Sequence, residues 1–187
     1  ETLQISQESA SSLLRWATRI SVAVAVVLIA AKLVAWLMTD SVAVLSSLID
    51  SVLDAGASIV NLVAVAHALT PADREHRFGH GKAEPLAGMA QAAFISGSAV
   101  FLLFEAGHRL LTPRPVAAGE VGIVVMLISM AATLGLVMFQ RFVVRRTGSL
   151  AISADSLHYK GDLLANGGVI VALLLSTGLG WTYADPI

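Results

Sequence analysis

The chain contains no cysteine. Disulfides and thiolate metal sites are thereby excluded, and cysteine usage says nothing about redox compartment. Charge is scarce as well. Only 13% of residues are charged, where a soluble domain carries about a quarter. The charges nearly cancel, to a formal net of −1, which argues against nucleic acid as a partner. No cleavable signal pattern stands out: the segment before Ile20 is polar, and the first apolar run is long enough to span a bilayer. The first residue is Glu1 rather than Met, from which a trimmed amino terminus is expected.

What is abundant is apolar surface. Of 187 residues, 56% are hydrophobic, and the mean hydropathy is +0.78. That composition describes an integral membrane protein. A transmembrane helix needs about 20 mostly apolar residues. Five stretches qualify, roughly 20–38, 41–69, 84–111, 119–144 and 149–178. Barrel strands would be about 10 residues long with strict alternation. These runs are longer and do not alternate, so an all-α membrane protein is expected. Trp181 and Tyr183 suggest an interfacial belt. Asp185, Pro186 and Ile187 then read as the start of a sixth, truncated span.

Lys and Arg in short loops set orientation. Arg15 and Arg19, then Arg74, Arg77 and Lys82, then Arg141, Arg145 and Arg146 fall on one side. Arg109 and Arg114 fall on the other. The amino terminus and the 70–83 loop are therefore expected to be cytoplasmic.

Asp50 and Asp54 interrupt the second apolar run at i and i+4, on one helix face. An ionised carboxylate at bilayer depth costs about 2.5–3.5 kcal/mol on insertion scales. Such a pair is protonated, holds a cation, or is satisfied by Ser47, Ser51 and Asn61. The fifth run supplies a counterpart, His158 and Asp162, also four apart. The two helices are expected to run antiparallel and to lie at similar depth, so four ligands are expected to converge. Three carboxylates and one imidazole suit a borderline divalent ion, Zn²⁺ first. Asp155 either lines an access path or is solvated. Lys32 and Lys160 are expected to snorkel or pair locally, and Asn61 and Asn166 to bond between helices.

The 70–83 loop carries Asp73, His76 and His80, a D-x₂-H-x₃-H spacing that one turn and a glycine bend bring onto a single metal. Two loop histidines are also commonly just solvated. His67 and His108 stand without such company and are read as ordinary side chains.

Five segments, SSLIDSVLDAGASIVN, PADREHRFGHGKAEPLA, QAAFISGSA, FQRFVVRRT and ADSLHYKGDLLAN, together resemble the cation diffusion facilitator family, in particular its bacterial zinc, cadmium and iron efflux transporters. They spread over four helices. The resemblance implies that Asp50, Asp54, His158 and Asp162 form the transport site. It implies a second zinc site at Asp73, His76 and His80, and a role for Lys82 in interlocking charges near a dimer interface. It implies a homodimer in the full-length protein, lodged in the bacterial inner membrane. It also implies six transmembrane helices and a cytoplasmic carboxy-terminal α/β domain, which this sequence does not reach. The expected activity is metal/proton antiport, with Zn²⁺ as transported substrate and as a loop-bound ion, and with no prosthetic group. A closed four-ligand site leaves no open position for enzyme chemistry. Two rivals remain: a non-transporting membrane metal sensor, and a proton-coupled carrier of a small organic cation. Small residues at Gly88-x₃-Ala92 and Ala93-x₃-Gly97 are read as permitting close helix contact.

Overall fold

The computed structural model of the chain describes residues 7–40, 42–111 and 120–179. They form five helices: α1 (Gln7–Thr39), α2 (Val42–Ala68), α3 (Ala83–Leu111), α4 (Glu120–Thr147) and α5 (Leu150–Leu179). Arg114 and the stretch from Trp181 to Ile187 lie outside the described residues, as does the side chain of Arg109. The expected sixth span therefore falls there too.

Each helix matches an expected apolar run, but two are longer. Helix α1 begins at Gln7 and α4 continues to Thr147. The reason is visible in α1. Its buried positions are Leu14, Ala17, Thr18, Ser21, Ala25, Leu28, Lys32 and Ala35. Steps of three and four make one continuous stripe along the helix, which starts well before the apolar run does. Apart from Leu14 and Leu28 the stripe is small or polar, whereas Val26, Val27, Val34 and Leu37 point outward and are exposed. Lipid is as apolar as leucine, so burial against lipid is free for these residues. Close packing of small and hydrogen-bonding residues is what holds the interior.

Among the described residues, three stretches are long and apolar enough to cross a membrane: Gln7–Thr39, Val44–Ala68 and Ile123–Thr147. One end of the bundle is tied by a core drawn from all five helices. It comprises Leu14 and Ala17, Val65, Ala87, Val143, and Ala151 with Ile152. Arg15, Arg19, Arg141, Arg145 and Arg146 lie close in sequence to that core, so the cationic helix ends share one end of the molecule. Gly88 is where α3 approaches the backbone of α5: a Cβ there would sit 3.7 Å from the Leu150 carbonyl oxygen. At Gly97 no such neighbour lies within 4 Å.

The tight connection between α4 and α5 fixes the position of the fifth helix. Gly148 takes the left-handed conformation, φ 68°, and its N–H donates to the Val144 carbonyl at 2.8 Å. That closes α4 as a glycine cap does. Ser149 then caps α5, its Oγ accepting from the Ile152 N–H at 3.2 Å. Helices α2 and α5 run antiparallel, because Asp54 meets His158 while Asn61 meets Ala151 further along α2.

Candidate metal centres

Helix α2 presents Asp54 and helix α5 presents His158 and Asp162 to a common point. His158 Nε2 lies 2.8 Å from Asp54 Oδ1 and 3.7 Å from Asp162 Oδ2. One ligand atom from each residue lies within 4.8 Å of the other two. His158 is buried, and its ring meets Phe94 of α3 edge-on at 5.4 Å. Asp162 Oδ2 is itself buried with no hydrogen-bond partner among the described residues. An acceptor stranded in this way is a place for a cation. Beside the cluster lies a cavity of about 40 Å³, lined among others by Lys32, Ser51, Asp54, Thr133 and Asp162. That is room for about two or three waters.

Asp50 does not join the three. It sits one turn earlier on α2, about 6 Å along the axis, and its side chain is exposed. Three of the four expected ligands converge: His158 meets α2 at the level of Asp54, and sharing a helix face does not place Asp50 at that level. Ser47 and Ser51 both receive Lys32. The Lys32 ammonium donates to the Ser47 carbonyl at 3.1 Å and to Ser51 Oγ at 2.7 Å. Lys32 therefore points into the bundle rather than snorkelling, and Asp54, Asp50 and Asp162 all lie within its electrostatic reach. Nothing in the sequence around Lys32 announced this beyond a lone cation in an apolar run.

Asp155 is not solvated. It is 1% exposed and gathers donors from three other helices. Gln140 Nε2 donates to Oδ2 at 2.6 Å, Ser21 Oγ to Oδ2 at 3.1 Å, and Gln91 Nε2 to Oδ1 at 3.2 Å. Asn61 bonds between helices as expected, from Nδ2 to the Ala151 carbonyl at 3.1 Å. Asn166 does not: it bonds the Asp162 carbonyl of its own helix at 2.9 Å.

The loop builds a second cluster. Asp73 Oδ1 accepts the backbone N–H groups of Glu75 at 3.0 Å and His76 at 2.6 Å. That turn holds the Asp73 carboxyl below the usual carboxylate range, chiefly through the His76 N–H. Gly79, at φ 76°, reverses the chain and returns His80 to the same place. His76 Nδ1 is 3.4 Å from Asp73 Oδ1, and His80 Nε2 is 3.6 Å from Asp73 Oδ2. One ligand atom from each again lies within 4.8 Å of the others. Two imidazoles and a carboxylate suit the same borderline ions.

Residues 18–187 match the cation efflux transmembrane domain. The chain is 51% identical over 171 residues to the cation-efflux pump FieF of Shewanella oneidensis, covering 91% of this chain and 57% of that protein. Against FieF of Klebsiella pneumoniae it is 51% identical over 165 residues, covering 88% and 55%. FieF of Pectobacterium carotovorum is 54% identical, with the same coverage. The chain thus spans just over half the length of these curated relatives. A five-helix membrane bundle with paired acid and histidine clusters, matched along nearly all its length, belongs to the cation efflux, or cation diffusion facilitator, family.

Proposed function

We propose that this chain is the membrane part of a transporter that carries divalent metal out of the cytoplasm in exchange for protons, with Zn²⁺ the preferred ion. The observation that carries the reading is the Asp54, His158 and Asp162 cluster between α2 and α5. The printed names of the relatives, cation-efflux pumps, agree with it.

The chemistry follows from the short contact. An imidazole nitrogen and a carboxylate oxygen 2.8 Å apart need a hydrogen between them, since two lone pairs at that range repel. A metal ion takes the place of that hydrogen, because its ligands must be a neutral imidazole nitrogen and deprotonated carboxylates. Loading releases protons, and protonation evicts the ion. Borderline Zn²⁺ suits one imidazole with carboxylates, water or Asp50 completing the four. If the α2–α5 seam opens alternately to either side, exchange of metal for protons becomes export. The cationic helix ends support a cytoplasmic amino terminus.

The test is flux. In proteoliposomes the parent chain moves Zn²⁺ and protons in opposite directions, and Asp54→Ala and Asp162→Ala abolish both movements. Full transport by Asp54→Ala refutes the site. Zn²⁺ binding without any movement favours the sensor reading.

A further inference from the structure

His67 ends α2, and its ring packs against that of His80 with centroids 4.4 Å apart at 71°. His76 approaches His80 from the loop, at 4.5 Å. The His80 ring is therefore in contact with two other imidazoles, one from the loop and one from a helix. With Zn–N bonds of about 2.0–2.1 Å, two imidazoles on one tetrahedral ion hold their ring centres about 5 Å apart. Both separations lie just inside that figure. His80 is 8% exposed, and its Nδ1 has no hydrogen-bond partner among the described residues. The nitrogen that faces the Asp73 carboxylate is Nε2, 3.6 Å from Oδ2, so an ion at the loop cluster is held through Nε2. His67 itself is exposed, so its ring can turn onto the ion without breaking a packed core.

We infer that His67 is the fourth ligand of the loop site, closing Asp73, His76 and His80 into a tetrahedral His₃Asp centre that staples the end of α2 to the loop. The inference rests on the reading of the loop as a metal site. It adds a consequence: a closed four-ligand site holds its ion for structure, in contrast to the membrane cluster, which must release it. The competing role for His67 is electrostatic, since a basic residue in the last turn complements the helix dipole.

The experiment uses the purified chain with Asp54→Ala, so that the loop is read alone, and titrates Co²⁺ while recording its visible absorption. The expected parent spectrum is that of four-coordinate cobalt, and Asp73→Ala removes it. Losing even an outer-shell partner costs about 10–100-fold in metal affinity. His67→Gln and His67→Arg are therefore each expected to weaken binding by at least about tenfold and to alter the bands. The arginine keeps the positive helix end, so in chelator His67→Arg is expected to melt with the parent. If Asp73→Ala leaves the spectrum unchanged, the loop reading fails and the inference falls with it. If Asp73→Ala removes it while both His67 variants bind as the parent does, the inference alone is overturned. Binding kept by His67→Arg and lost in His67→Gln assigns His67 to the helix end and overturns it too.

Discussion

His158 Nε2 lies 2.8 Å from Asp54 Oδ1, across 104 residues of sequence and between two antiparallel helices. On the proposed metal-site reading, the single imidazole sets the softness of the cluster and so the kind of ion it accepts. Replacing it by an oxygen ligand, His158→Asp, shifts preference toward harder ions such as Mn²⁺. Competition binding of Zn²⁺ against Mn²⁺ measures this, and an unchanged ratio counts against His158 as a ligand.

Lys32 works in the opposite direction. Its buried ammonium faces the cavity that Asp54 and Asp162 also line, and a fixed positive charge there opposes a divalent ion. Lys32→Met is expected to tighten Zn²⁺ binding at the membrane cluster by up to about tenfold, which is about 1.4 kcal/mol. Weaker binding in a folded variant contradicts the assignment of Lys32 as an internal counter-charge.

Asp155 is a matter of stability. Interhelical hydrogen bonds in membranes average about 0.6 kcal/mol, while a stranded buried partner costs about 1–3 kcal/mol. Asp155→Leu breaks bonds to Gln140, Ser21 and Gln91 together. The expected loss is about 2–4 kcal/mol, read from unfolding in detergent, with metal binding by the loop unaffected. A variant as stable as the parent shows that the network adds nothing.

The loop turn at Asp73 gives a pH prediction. The carboxyl sits below its ordinary value because the turn favours its ionised form. The turn is therefore fully formed above the ordinary Asp value, about 3.9, and is lost only as pH falls through the lower folded value. The side-chain carboxyl carbon resonance of Asp73, in metal-free protein, is expected to titrate with its midpoint below about 3.9. A shift centred at or above that value contradicts the depressed carboxyl.

These residues also show how much a sequence reading reaches. The helices were legible because apolar runs of spanning length admit no other fold in lipid. The start of α1 was not, since its inward stripe runs on through a segment too polar to span. Asp54, His158 and Asp162 were legible because acids inside an apolar run are expensive. Asp50 shows the limit of spacing: it places two residues on one face, but only the packing of α5 decides which turn its partners reach. The burial of Asp155 and the particular partners of Lys32 were not legible, because those partners come from other helices, which no local pattern reveals. His67 was overlooked for a related reason, as the path of the loop, reversed at Gly79, is what carries His80 back to the end of α2.

The most direct measurement of the central claim is anomalous scattering at the zinc edge from crystals of the chain grown with Zn²⁺ at neutral pH. The account predicts a peak between Asp54, His158 and Asp162, absent when Asp54→Ala crystals are grown in the same way. Density only at the loop cluster, with the α2–α5 cluster empty in zinc-saturated protein, would contradict it.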